Sequence, residues 1–61
     1  MNLPTPDISD IQYALGRAKK DNPYFTPLQI VDRAWQILSW QYAPAAIDEA
    51  AIERQLQKGQ K

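Results

Sequence analysis

Side chains that commonly perform catalysis are scarce in this 61-residue sequence. It contains no histidine and no cysteine, which removes the most frequent general acid–base and the most nucleophilic side chain. Of the hydroxyl groups, those of Ser9 and Thr26 stand where helices begin, and Ser39 falls on the polar side of a helix. A chain this short also has little room for the enclosed pocket that catalysis favours. The sequence therefore predicts a protein without enzymatic activity.

Groups that could hold a metal or a cofactor are equally few. Zinc sites built from Cys and His are excluded, and two glycines, Gly16 and Gly59, cannot form a Gly-rich phosphate loop. Asp48, Glu49 and Glu53 lie close together and could form a weak cation site. Acidic residues are also favoured in the first turn of a helix, where they are ordinarily solvated. We expect no metal and no cofactor.

The first candidate binding residue is Trp40. It lies five residues after Trp35, so the two indoles project about 140° apart on one helix. Trp35 falls among apolar residues, whereas Trp40 falls beside Arg33 on the polar arc, so one face cannot bury both. Trp40 must then be covered by a third helix later in the chain, by the turn at Pro44, or by another molecule. Because exposed Trp and Arg are enriched at protein contacts, we assign Trp40, Arg33 and Gln36 as candidate protein-binding residues.

A second candidate surface combines Tyr13 with Arg17 and Lys20. Tyr13 lies off the apolar stripe of its helix, and the two cations follow at four and seven residues. An aromatic ring among cations can stack on a base and contact phosphates, although a solvated helix face has the same composition. The two helices joined by residues 22–25 also permit a comparison with a helix-turn-helix. These residues support nucleic-acid binding as the alternative function.

Two amphipathic helices position these candidates. Helix 1 is expected to begin at Asp7 or Ser9 and to end near Asn22, because its apolar residues fall within roughly 120° of the helix circumference. The start of helix 2 is marked by four local signals: Phe25 as a hydrophobic staple, Thr26 as N-cap, Pro27 at the first position and Gln29 in a capping box. Helix 2 is predicted from Pro27 to about Tyr42.

A third, shorter helix is predicted after the break at Pro44. It should start near Pro44 or at Asp48, and Gly59 should end it. Its apolar face is thin, with Ile52 and Leu56 at the centre. The predicted fold is therefore all-α: a helical hairpin plus a third short helix in one domain (residues 7–58), preceded by an extended arm (1–6) and followed by a frayed tail (59–61).

Helix 2 has an apolar arc of roughly 180°, wider than a typical surface helix needs. The residues of this arc are Leu28, Ile30, Val31, Ala34, Trp35, Ile37, Leu38 and Tyr42. Helix 1 can cover one flank, and the other requires helix 3 or a second subunit. A chain of this length is near the lower size limit for a self-sufficient core. We therefore expect that dimerisation could complete the fold, and a homodimer is one predicted partner arrangement.

Charge and hydropathy narrow the functional classes further. Seven basic and seven acidic residues balance, which disfavours nonspecific binding to nucleic acid. Residues 1–8 have neither a basic segment nor an apolar run, and residues 28–42 are too short and polar to span a membrane. We expect a cytoplasmic protein that has no membrane partner and binds another protein, as an adaptor or inhibitor, through an aromatic surface.

Overall fold

Three α-helices and one short 3-10 turn form the described part of the chain. The computed structural model describes residues 4–59. The elements in chain order are α1 (Ile8–Asp21), α2 (Pro27–Ser39), the 3-10 turn (Pro44–Ala46) and α3 (Glu49–Gly59). Residues 4–59 contain no strand, and each helix packs against the other two. The predicted all-α hairpin with a third short helix is confirmed.

Each of the first two helices begins with a reciprocal capping box. At α1, the Asp7 carboxylate accepts a hydrogen bond from the backbone N–H of Asp10 (2.8 Å), and the Asp10 carboxylate accepts one from Asp7. At α2, the Thr26 backbone N–H donates to Gln29 Oε1 (2.9 Å), while Thr26 Oγ1 accepts from the Gln29 backbone. Two orphan amides are satisfied at each start. Thr26 is confirmed as the N-cap of α2. Of the two starts predicted for α1, Asp7 is the N-cap, and Ser9 lies within the helix.

The predicted end of α2 at Tyr42 is wrong, because the helix stops at Ser39. The backbone N–H groups of Trp40, Gln41 and Tyr42 converge on the carbonyls of Ile37 and Leu38, which tightens the chain into a turn. The Tyr42 hydroxyl then donates a hydrogen bond of 2.5 Å to Asp10 Oδ2 on α1. This long-range contact within the chain and the break before Pro44 direct the backbone away from the axis of α2.

The contact between Tyr42 and Asp10 shifts the pKa of both groups. The Tyr42 hydroxyl lowers the pKa of the Asp10 carboxyl below its ordinary value of 3.8, and the backbone N–H of Asp7 acts in the same direction. The same hydrogen bond raises the pKa of the Tyr42 phenol above its ordinary value of 10.0. The paired state therefore favours ionised Asp10 beside protonated Tyr42.

The core lies where the three helices meet. Helix α3 packs on both α1 and α2 within the same chain, so it covers the flank of α2 that α1 leaves open. Trp35 is half-buried against this core, but Leu28, which was predicted to share the apolar arc, is 76% exposed. The buried residues are Ile11, Ala14, Leu15, Ala18, Ile30, Val31, Ala34, Ile37, Leu38, Ile47, Ile52 and Leu56.

The third helix begins later than one of its two predicted starts. Residues 44–46 form a separate 3-10 turn, and α3 begins at Glu49. The Asp48 carboxylate accepts a hydrogen bond from the backbone N–H of Ala50 (3.0 Å), as a cap would. Residues 1–3 of the predicted arm (1–6) and residues 60–61 of the predicted tail (59–61) lie outside the described residues. Residues 4–6 have no regular secondary structure, and Gly59 is the last residue of α3. None of the helices within residues 4–59 is long and apolar enough to cross a membrane.

Candidate functional site

The two candidate surfaces from the sequence meet in a groove between α1 and α2. One recess, here called the Trp40 recess, is lined by Tyr13, Arg17, Asp21, Arg33, Ile37, Trp40 and Gln41 and has a volume of about 180 Å³. A larger one of about 660 Å³, here called the Leu28 recess, is lined by Asp21, Asn22, Phe25, Leu28, Gln29, Asp32, Arg33 and Gln36. Asp21 and Arg33 line both, so their ion pair divides one groove into two compartments.

Arg33 is held at this division by three neighbours. One guanidinium nitrogen lies 3.4 Å from Asp21 Oδ2, and the other donates to Gln36 Oε1 at 3.1 Å. The guanidinium carbon lies 5.6 Å from the centre of the Trp40 ring, which is within the range of a cation–π contact. The sequence placed Arg33 beside Trp40 on the helix wheel, and the structure joins them as expected.

Asp21 links the two helices through a shared ion pair. Its second carboxylate oxygen lies 3.5 Å from Arg17 Nε, one turn earlier on α1. Two guanidinium groups therefore share one carboxylate in the Trp40 recess, which leaves one positive charge uncompensated there. The Leu28 recess has the opposite balance, because Asp32 and Asp21 lie there with Arg33 alone. The groove is consequently positive at one end and negative at the other.

Two aromatic rings border the positive end and remain accessible. Trp40 is 70% exposed and Tyr13 is 63% exposed. Both line the Trp40 recess, where Ile37 supplies an apolar surface. The alternatives for covering Trp40 included helix 3 and the turn at Pro44. Among the described residues, neither α3 nor that turn contributes a side chain to this recess.

The nucleic-acid candidates Tyr13, Arg17 and Lys20 also lie together. They line a shallow recess of about 300 Å³ on α1, beside Gly16. Tyr13 and Arg17 belong to both this recess and the Trp40 recess, whereas Lys20 belongs only to the former. The two hypotheses drawn from the sequence thus concern adjoining parts of one surface.

Asp21 is the groove residue that the sequence interpretation missed. Its spacing of four residues from Arg17 is a signal for an ion pair within a helix, and it could have been identified. The contact with Arg33 has no such signal, since it joins two helices across the interhelical loop.

Asp48, which was considered for a weak cation site, has other contacts. It caps α3 and lies 4.0 Å from Arg54. No group of acidic residues suited to a metal ion was found among the described residues.

The groove presents guanidinium, carboxylate, indole, phenol and amide groups. These groups form hydrogen bonds, ion pairs and stacking contacts. Compared with known protein families, with curated proteins and with solved structures, the chain has no significant match.

Proposed function

We propose that this protein is a small, non-enzymatic interaction module that binds another protein through the α1–α2 groove. Trp40, Arg33 and Gln36 are the proposed contact residues, and an adaptor or inhibitor is the class that fits such a module. The observation that carries the proposal is the state of Trp40, which is 70% exposed and yet contacts an arginine that is itself held in place. Trp and Arg are the side chains most enriched at binding hot spots.

Restraint of the Arg33 side chain supports this proposal. A long side chain loses rotamer freedom when it is immobilised in a complex, which costs about 0.5–1.5 kcal/mol. Arg33 already contacts Asp21, Gln36 and Trp40 before any partner arrives. Part of that cost is therefore met in the folding of the free protein, which favours binding through this residue.

Site-specific photo-crosslinking tests the proposal. A benzophenone amino acid would replace Gln36, which lines the groove, or Gln57, which is exposed on α3. In cells of the source organism, we expect a crosslinked partner from position 36 that is absent from position 57. Trp40→Ala should abolish it, whereas Tyr24→Ala, which removes an aromatic ring that is 92% exposed on the interhelical loop, should not. Equal crosslinking from both positions would contradict the proposal.

Nucleic-acid binding is the second candidate function, and the shared recess of Tyr13, Arg17 and Lys20 favours it. Against it, Asp21 lies beside Arg17, and the chain has no net charge. Fluorescence anisotropy with a single-stranded oligonucleotide at low salt tests this function. Affinity that falls steeply as salt is raised would support it, and no binding at low salt would remove it.

A homodimer and a cytoplasmic location complete the proposal. The sequence suggested a dimer because helix 1 alone could not cover both flanks of α2, and α3 packs against α2 in the same chain. The exposed Leu28 still leaves an apolar contact available for a second copy. Light scattering after size exclusion distinguishes one chain of 7.0 kDa from a pair of chains. Cell fractionation tests the location.

A further inference from the structure

We propose that the Trp40 recess binds an acidic, aromatic segment of a partner protein. A partner carboxylate would pair with Arg17 and Arg33, and a neighbouring aromatic ring would enter between Tyr13 and Trp40 against Ile37. This inference rests on the proposed function, because it names the chemistry of the partner at the same groove.

The ion pairs in the recess argue for an acidic ligand. Both arginines approach the same Asp21 carboxylate, at 3.5 Å and 3.4 Å, and charge-assisted hydrogen bonds of this type normally measure about 2.7–2.9 Å. Each guanidinium group has five N–H donors, more than one shared carboxylate can accept from the pair. A second carboxylate would neutralise the remaining positive charge and accept the donors that Asp21 does not reach.

The size and walls of the recess argue for an aromatic side chain beside that carboxylate. Its volume of about 180 Å³ compares with the roughly 150 Å³ of an engineered cavity that accepts benzene. Tyr13 and Trp40 provide aromatic surfaces, and aromatic pairs contribute more than the area they bury. Ile37 adds an apolar contact. A recess of this volume has room for one phenyl group.

The same observations disfavour a nucleic acid as the occupant. Lys20, the remaining cation of the candidate nucleic-acid surface, does not line the Trp40 recess. A peptide carboxylate next to an aromatic side chain needs only the two arginines and the two rings.

Titration of the ¹⁵N-labelled protein with designed peptides tests the inference. The probe is a blocked peptide with Glu-Phe-Glu at its centre and Ser-Gly flanks. Two peptides serve as controls, one with Gln-Phe-Gln and one with Glu-Ala-Glu at the centre, and an oligothymidylate represents nucleic acid. The indole N–H of Trp40 and the Nε–H groups of Arg17 and Arg33 report on the recess.

The Glu-Phe-Glu peptide should cause saturable shifts of these signals, and its binding should weaken as salt is raised. The Gln-Phe-Gln and Glu-Ala-Glu peptides should each bind about ten-fold or more weakly, since a charged hydrogen bond or an aromatic pair is lost. Arg33→Gln should remove binding. Arg54→Gln, on the exposed surface of α3, should leave it unchanged, and the backbone spectrum of each variant checks that it folds.

Three results would overturn the inference. The first is binding of Gln-Phe-Gln as tight as that of Glu-Phe-Glu, and the second is tighter binding of the oligothymidylate at the same signals. The third is the absence of any shift at millimolar peptide. Crosslinking from position 36 is independent of these peptides, so a positive crosslink with a negative titration would reject the acidic segment and retain the interaction module.

Discussion

The α1–α2 pair has one face that folding uses and one that folding leaves accessible. On the first face, Ile52 and Leu56 of α3 are buried in the core shared with both helices, together with Ile47, which follows the 3-10 turn. On the second, the groove retains two exposed aromatic rings and a shared ion pair. The two tryptophans differ in the same way, since Trp35 packs on the core and Trp40 is exposed. Apolar side chains stabilise the first face, while the second carries the mixed aromatic and charged groups on which the proposed binding function rests.

The largest predicted effect is on the α3 face. Ile52 is fully buried, so Ile52→Ala should cost about 2–5 kcal/mol of unfolding free energy. A domain of this size is stable by only about 3–9 kcal/mol, and the variant should therefore lose much of its cooperative transition. Urea denaturation followed by circular dichroism measures this cost.

Glu53→Ala, an exposed change in the same helix, is the matched control for Ile52→Ala and should stay within about 0.5 kcal/mol of wild type. A cost below about 1 kcal/mol for Ile52→Ala would mean that α3 contributes little to the fold, and the contrast between the two faces would disappear.

The next effect concerns the start of α2, the helix that contributes to both faces. Thr26→Ala removes the acceptor for the Gln29 backbone N–H and should destabilise the protein by about 1 kcal/mol. Thr26→Ser keeps the hydroxyl and should retain most of the stability. Equal losses in both variants, measured by thermal unfolding, would show that the cap contributes through the threonine methyl group instead.

Gly16 offers a stabilising change beside the groove. A methyl group built on Gly16 meets no atom within 4 Å, so Gly16→Ala should stabilise α1 by about 0.5–1 kcal/mol. Ala14→Gly, at a buried position of the same helix, should have the opposite sign. Destabilisation by Gly16→Ala would reveal packing on this exposed part of α1 and weaken the comparison.

Protonation should alter the contact that links α1 to the turn after α2. The pKa of Asp10 is lowered in the folded protein, so its ionised carboxylate stabilises the fold at pH values above the unfolded pKa of 3.8. This stabilisation is lost as pH falls through the folded pKa. The pKa of Tyr42 is raised in the folded protein, so its contribution to stability is complete below the unfolded value of 10.0. That contribution is lost as pH rises through the folded value.

Tyr42→Phe isolates this contact. The variant should be less stable than wild type at about pH 6.5. The difference should be smaller at a pH well below the ordinary Asp10 value of 3.8, as the wild-type carboxyl becomes protonated. Urea unfolding at the two pH values measures it. A difference that is the same at both would show that the hydroxyl acts independently of the Asp10 charge.

Local chemistry made some features predictable from the sequence. The start of α2 follows from four neighbouring residues, and its capping box was identified without tertiary information. The end of α2 was not predictable, because the contact between Tyr42 and Asp10 joins positions 32 residues apart. The exposure of Leu28 was missed for a similar reason: the helix wheel gives its angular position but not which elements reach the first turn of α2.

The candidate site shows the same limit. The positions of Trp40 beside Arg33 and of Tyr13 beside Arg17 follow from helical periodicity. These two pairs lie in one groove because of how α1 and α2 pack. The contact between Asp21 and Arg33 that joins them connects positions 12 residues apart. Single-helix periodicity therefore identified both halves of the site and could not join them.

The unfolding free energy of Trp40→Ala tests the central claim most directly. We predict a cost of no more than about 1 kcal/mol, which is the scale of an exposed cation–π contact, because Trp40 lies outside the core and its proposed role is in recognition. A cost of about 3–5 kcal/mol, typical of truncating a buried tryptophan, would show that Trp40 stabilises the fold as a core residue does and would contradict the account.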